Sequence, residues 1–287
     1  MVCGLAVIAG EGFLGTKLLV LCRPPAGAFI VILGMMLFTR STYIGVYIPL
    51  AGKQLFYAAV DGKLKPMALG VGALNDILAF LGGQQQALAA INGPWQPNQS
   101  FMADEAYRQK LDPAPKPGRW EDLRVGEYLL GQRGYPVYQT PALQNKAKAW
   151  MRTGFKLHQR LEALGYRQFS SRGDHALFEA APEISFYKWL GKTPLLATSL
   201  EGRIQRQLVL YDLGMDIPDP MRFFEEVTRY RILQGELPQA GLYPLGEIQA
   251  LANAYMAWAA SHSPEEISTV GDEQEGQITL PSKSLKK

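Results

Sequence analysis

Tyr43-Ile44-Gly45-Val46-Tyr47-Ile48, the turn Ala51-Gly52-Lys53, Gln54 to Val60, Asp61-Gly62 and Lys63 to Leu69 form the stretch on which the fold turns. Six residues rich in β-branched and aromatic side chains read as a buried strand. Gln54 to Val60 reads as a second strand. Asp61-Gly62 is a strong hairpin signal, because both central positions of a tight primed turn need positive φ. Lys63 to Leu69 then returns as a third strand, so three antiparallel strands open the body. Downstream, Asn75 is placed to cap a helix running to Leu81, and Ala87 to Ile91 is a short apolar strand that stops at Asn92-Gly93-Pro94. Strand, helix, strand in that order predicts a crossover into the same sheet.

Beyond that point Pro94 to Trp120 reads as a long surface loop, of the length that is usually functional or disordered. Glu121 to Gln132 and Lys146 to Leu164 read as helices, the second with Trp150, Gly154, Leu157, Leu161 and Leu164 on one core-facing stripe. His175 to Ala181 is another strand and Ser199 to Leu213 another helix. Asp219-Pro220 supplies an N-cap and a first-turn proline for a helix ending near Gly235. The last helix is Gly246 to Ala260, with Ile248, Leu251, Tyr255 and Trp258 inward, and Ser263 to Lys287 reads as a polar tail carrying one edge strand at Gln277 to Leu280. No repeat or low-complexity linker interrupts the body, so residues 39–287 count as one domain.

Residues 1–38 differ from it. They are apolar and glycine-rich, yet the longest uninterrupted apolar run, Ala26 to Phe38, is thirteen residues, against the roughly 20 of a spanning helix. A signal peptide needs a basic segment before its apolar stretch, and none precedes this one. Three readings stay open: an over-extended start with the true one at Met35 or Met36, a weak membrane anchor, or an added element of the fold. The expectation is a cytoplasmic protein without a membrane span.

The chain of 287 residues is 47% hydrophobic and 19% charged, which excludes the disordered and fibrous classes. Cys3 and Cys22 are the only cysteines, so the body has no disulfide framework and no thiolate chemistry. The three histidines, His158, His175 and His262, lack zinc-site spacing, and the usual nucleotide and serine-hydrolase motifs are absent. A net charge of +3 hides an uneven distribution. Gln144 to Arg172 holds seven bases against Glu162 alone, a segment of +6 in a chain whose remainder is −3. Within it Lys148, Arg152, Lys156 and Arg160 recur every four residues, one stripe on a helix. Like charges at that spacing oppose helix formation, so the stripe reads either as a phosphate-tracking face or as a solvated face paired with acids elsewhere.

The opening hairpin, then Ala90-Ile91-Asn92-Gly93-Pro94-Trp95-Gln96-Pro97-Asn98, Trp150-Met151-Arg152-Thr153-Gly154-Phe155, Ser199-Leu200-Glu201-Gly202-Arg203-Ile204-Gln205-Arg206-Gln207-Leu208, Asp219-Pro220-Met221, Phe224-Glu225-Glu226-Val227-Thr228-Arg229 and Leu280-Pro281 together resemble one family. It is the bacterial domain-of-unknown-function family four-two-nine, whose members are predicted RNase H-like nucleases. The resemblance covers the chain from Tyr43 onward. It implies an α/β fold of RNase H type: a mixed five-stranded sheet, three antiparallel strands then two parallel ones, flanked by helices.

It also implies where chemistry would sit. Nucleases of that fold hold two Mg²⁺ ions with several carboxylates, since only clustered anionic oxygens offset so much charge at metal separations of about 4 Å. By position, this chain carries Tyr47, Asn92, Glu179 and Gln249 at the four catalytic places, so one carboxylate of the expected four remains and Glu179 is the single implied metal ligand. Glu183, Glu201, Glu225 and Glu226 are acids able to compensate. Each also has a structural reading: Glu225 with Arg229 and Arg222 with Glu226 as helix-surface pairs, Glu201 as a first-turn acid. Glu179 in an apolar strand needs a partner, and Arg203, Arg206 and Arg229 are the candidates. Trp95 either stacks on a base or sugar or packs its loop onto the body, whereas Trp120, Trp150, Trp189 and Trp258 read as core. Two functions follow: a metal-dependent nuclease with a depleted site, using Mg²⁺, or a non-catalytic module that binds nucleic acid or another anionic ligand.

Overall fold

The computed structural model describes residues 42–111, 119–169 and 174–285, all within one compact unit. The expectations for residues 1–38 lie outside the described residues. The elements run β1 (Thr42–Tyr47), β2 (Leu55–Val60), β3 (Pro66–Gly72), α1 (Leu74–Gly82), β4 (Ala87–Asn92), α2 (Glu105–Arg108), α3 (Val125–Gln132), α4 (Ala149–Ala163), β5 (Arg167–Gln168), β6 (His175–Ala180), α5 (Pro182–Leu190), α6 (Leu200–Asp212), α7 (Arg222–Glu226), α8 (Arg229–Leu233), α9 (Leu245–His262), β7 (Ile267–Asp272) and β8 (Gly276–Pro281). One mixed sheet has the order β3-β2-β1-β4-β6-β8-β7, with β5 beside β6. β1, β2 and β3 are antiparallel neighbours, and β4 and β6 join β1 in parallel.

The opening hairpins and the crossover are present, although Lys63 to Lys65 belong to the β2–β3 turn, whose positive φ falls at Leu64 (60°) and not at Asp61 or Gly62, and the sheet among the described residues has eight strands and not five. The three additional strands have separate origins. β5 is a two-residue strand beside Ala176 and Leu177. In the segment read as a polar tail, the strand read at Gln277 to Leu280 is present as β8 but is internal, running parallel to β6 through Glu179 and Ala180, and Ile267–Asp272 folds onto it as the edge strand β7. Gly271 and Gly276, at φ 121° and 106°, supply the left-handed backbone that this hairpin needs.

Both faces of the sheet are covered. On one, Leu88, Ala90 and Phe178 pack against α9, α5 and α6 through Leu251, Phe186 and Val209; on the other, Ile44, Ile91 and Leu177 meet α1 and α4 through Ile77, Leu157 and Leu161. Strands buried on both sides lose the polar alternation of a half-exposed sheet, which is why β1 and β4 read as continuous apolar runs. Gly45 sets the closeness of the α9 layer. A Cβ there would lie 1.9 Å from the Ala250 carbonyl oxygen and 2.3 Å from the Ala254 nitrogen. The contact is helix backbone on strand backbone, and the Asn253 Nδ2 donates to the Val46 carbonyl at 2.7 Å across it.

Other boundaries shift for local reasons. Asn75 lies inside α1, whose N-terminus is held by Asp76 accepting from Ala73 N–H. The single helix read after Asp219 is two short ones: Asp219 accepts from Met221 N–H, the chain is extended at Val227-Thr228, and Thr228 Oγ1 starts α8 by accepting from Arg231 N–H. Glu226 consequently meets Arg231 at 3.5 Å, and neither surface pair read from the sequence is an ion pair among the described residues. α5, with Pro182 in its first turn, is an element the sequence reading passed over. No helix among the described residues is long and apolar enough to cross a membrane.

Candidate functional site

Parallel strands end together, and the C-terminal ends of β1, β4 and β6 open into a pocket of about 440 Å³. Such edges are where open α/β sheets hold ligands, because the connecting loops diverge there. Tyr47, Asn92, Glu179 and Gln249 all line the pocket. The four positions implied by resemblance therefore do converge, although they do not form one cluster.

Strand pairing explains the separation. Val46, Ile91 and Glu179 stand in one cross-strand row, and Asn92 pairs with Ala180 in the next. Successive residues point to opposite faces of a sheet. Ile91 belongs to the core on the α4 side and Ala180 to the core on the α9 side, which puts Glu179 in the α4-side row and Tyr47 with Asn92 in the α9-side row. The carboxylate that meets the Gln249 group is instead Glu183, in the first turn of α5: Gln249 Nε2 donates to its Oε2 at 2.9 Å.

Glu179 is consumed by a different partner from those expected. Arg124, at the N-terminal end of α3, donates from Nη1 and Nη2 to the two Glu179 oxygens at 2.9 and 2.7 Å. Its Nε donates to Glu127 Oε1 at 2.9 Å. Glu127, three residues on, also accepts from the backbone N–H of Arg124 and from both Thr140 N–H and Thr140 Oγ1. Trp95 N–H adds a 3.3 Å bond to Glu179. All three charges are buried, at 2% (Arg124), 3% (Glu127) and 7% (Glu179) exposure. Burial opposes charge on the guanidinium, but Glu179 and Glu127 outweigh it and hold Arg124 charged above its ordinary range. Glu275, wholly buried beside them, accepts from Val125 and Gln99 N–H, and burial raises its carboxyl.

The remaining positions carry structural duties. Asn92 Oδ1 accepts from Ile48 N–H at 2.6 Å and its Nδ2 donates to the Ile48 carbonyl at 3.0 Å, a side chain acting as one more rung between β4 and the end of β1. An aspartate has no hydrogen to give the second bond. Burial first, then Glu183 and Tyr138, raise the Tyr47 phenol, so it is a protonated donor at neutral pH. Gln249 is 3% exposed, and its Oε1 has no partner among the described residues. This set does not fit a pair of magnesium ions: Glu179 is saturated by a cation, Asn92 is clamped, and Tyr47 and Gln249 bring no charge. The described residues contain no group of three or more His, Cys, Asp or Glu side chains placed to hold a metal.

The long Ser199-to-Leu208 string resolves into packing. Ser199 Oγ caps α6 by accepting from Gly202 N–H, and a Cβ on Gly202 would sit 1.9 Å from the Leu196 carbonyl oxygen. Arg206, 1% exposed, pairs with Glu183 and donates to the Leu195 and Gly202 carbonyls. Gln207 bridges Pro218, Gly241 and Tyr243. Among the described residues Arg203 reaches Gln239, and Glu201, Glu225, Glu226 and Arg229 are exposed and outside the pocket lining.

The basic stripe is a surface. Lys148, Arg152, Lys156 and Arg160 are all exposed, and none is in an ion pair among the described residues. Lys148, at the start of α4, lies 5.3 Å from the centre of the Tyr138 ring, which meets Trp150 edge-on at 5.6 Å; both rings line the pocket. Glu162, the one acid of that segment, accepts from Trp95 Nε1 at 2.9 Å, so Trp95 packs its loop onto the body. Trp120 is 37% exposed and is not core. Sequence reasoning missed Arg124, Glu127 and Glu275; the spacing of Arg124 and Glu127 as first-turn partners on a short helix was the available signal. No family model, curated protein or solved structure matches the chain.

Proposed function

We propose that this chain is a binding module of RNase H-like architecture, akin to the four-two-nine family, that takes single-stranded nucleic acid along α4 and performs no two-metal hydrolysis. One observation carries the reading: the only carboxylate left at the implied catalytic positions is held in both oxygens by Arg124, while four exposed bases stand in a row without acidic partners among the described residues. The order β3-β2-β1-β4-β6 supports the architecture, with β8 and β7 as an extension. A guanidinium in a bidentate pair occupies the directions from which a carboxylate would bind a metal. A row of bases outside any ion pair among the described residues, though Arg152 donates to the Ala147 carbonyl and Arg160 reaches Asn75, gains affinity by releasing counterions from a phosphate backbone. A cytoplasmic location suits such a partner.

Fluorescence anisotropy with a labelled single-stranded oligonucleotide tests the reading. With four phosphate contacts, the slope of log affinity against log salt is about −3, and Arg152→Ala with Lys156→Ala reduces it to about −1.5. Binding is the same with magnesium or with a chelator. A slope near zero defeats the proposal. So does magnesium-dependent cleavage that Glu179→Gln abolishes, which would restore the nuclease reading.

A further inference from the structure

We infer that the pocket at the ends of β1, β4 and β6 takes one base of the strand bound along α4, a neutral planar heterocycle inserted between aromatic walls. The inference rests on the reading of α4 above. About 440 Å³ is in the range of small-molecule sites, and Tyr47, Tyr138 and Trp150 give it aromatic walls. Two of the lining residues also hold buried polar atoms without a partner among the described residues. They are Trp150 Nε1, a donor, and Gln249 Oε1, an acceptor, and the Tyr47 hydroxyl makes no hydrogen bond among the described residues. A nucleobase carries both an exocyclic donor or acceptor and ring nitrogens on one plane, which answers such a set.

Charge decides which part of a nucleotide enters. Glu127, Glu179 and Glu183 line the pocket against Arg124, with Arg206 behind Glu183, so carboxylates outnumber guanidinium groups. A phosphate is repelled there and a neutral base is not. The phosphate has its place outside: Lys148 heads the basic row and lies over Tyr138, a wall of the pocket. The row and the pocket are thus continuous at one point, where a backbone turning off α4 would present a base to the opening.

The test uses the full chain with adenosine, guanosine, cytidine and uridine, followed by tryptophan fluorescence and saturation-transfer NMR, beside intact and fully abasic oligonucleotides of equal length. At least one nucleoside is expected to bind saturably, with an affinity unchanged from about 50 to about 200 mM salt because it has no phosphate. Trp150→Ala weakens it about 5- to 150-fold, the loss of one aromatic contact, and Tyr47→Phe, which keeps the ring, about 5-fold. Thermal melting checks that each variant folds. The abasic strand keeps the salt slope of the intact one but binds more weakly. If no nucleoside binds and the abasic strand matches the intact one, the inference is overturned while the reading of α4 stands. If a nucleoside binds and no strand does, the reading of α4 falls and the strand inference with it.

Discussion

Arg124→Met leaves Glu127 and Glu179 buried with no opposing charge. In the intact protein the guanidinium makes three side-chain bonds to these two carboxylates, all at 2.7 to 2.9 Å and all away from water. Methionine keeps the apolar contacts of the stem and removes the guanidinium with its charge. Removing one partner of a buried pair costs about 3–5 kcal/mol, because the orphaned ion keeps its desolvation penalty and loses its attraction. At about 2–4 °C per kcal/mol for a domain of this size, the melting temperature falls by about 6–20 °C. Urea unfolding gives the free energy directly, and an unchanged denaturant slope shows that the two-state comparison holds. The double variant Arg124→Met/Glu179→Gln then recovers at least about 1 kcal/mol, since one of the orphaned charges is gone. An Arg124→Met protein within about 1 kcal/mol of wild type refutes the reasoning. In that case Glu179 does not depend on Arg124, and the argument against a metal role for it loses its basis.

His158, fully buried on α4, titrates near 4: burial lowers it, the Gly93 backbone opposes the shift, and Arg124 lowers it further. Its folded pKa is below the unfolded value of about 6.5, so the unfolded chain binds the proton first. The stability is whole above about pH 6.5 and is lost as pH falls toward about 4, by roughly 3 kcal/mol. His158→Leu flattens that part of the pH profile in urea titrations, and equal slopes in both proteins would count against it. Gly45→Ala forces α9 off the sheet, and a soluble variant melting within about 5 °C of wild type contradicts the 1.9 Å approach. Asn92→Asp places an acceptor against the Ile48 carbonyl and costs about 1–3 kcal/mol; a more stable variant, or one that binds magnesium in calorimetry, refutes the clamp.

Much of the fold was legible because local chemistry and tertiary position agree in its first half. Tyr43 to Leu69 alternates strand formers with turn residues, so β1 to β3 and the crossover to β4 follow from pattern, although the turn after Asp61-Gly62 runs on to Lys65 with Leu64 in the left-handed region. The later errors share a cause. β7, polar at Ser268 and Thr269, does not read as a strand, and Gln277 to Leu280, read as an edge strand, is the internal β8 through its pairing with β6. Neither propensity nor period carries that information, because the partner lies some hundred residues earlier. The break between α7 and α8 at Val227-Thr228 was visible in principle, since threonine followed three residues later by a backbone it can cap is an N-terminal signal.

The site was legible in place but not in chemistry, and the reason lies in the two-residue period of a strand. The resemblance grouped Tyr47, Asn92, Glu179 and Gln249, and all four line one pocket. Which face each side chain takes depends on register, and a difference of one residue between β4 and β6 sends Glu179 to the α4 side and leaves Asn92 on the other. The acid on the α9 side is Glu183, three residues past the strand and reached only because Pro182 starts α5 there. Glu183 in turn is tied to Arg206, which explains the S-L-E-G-R-I-Q-R-Q-L string without any reaction: Gly202 admits the Leu196 carbonyl, Arg206 neutralises Glu183, and Gln207 fixes the loops behind them. Two carboxylates thus face the pocket from opposite sides of the sheet, each already answered by its own arginine. A cation has no unanswered pair of oxygens to bridge between Glu179 and Glu183, which is the observation on which the proposed binding role rests.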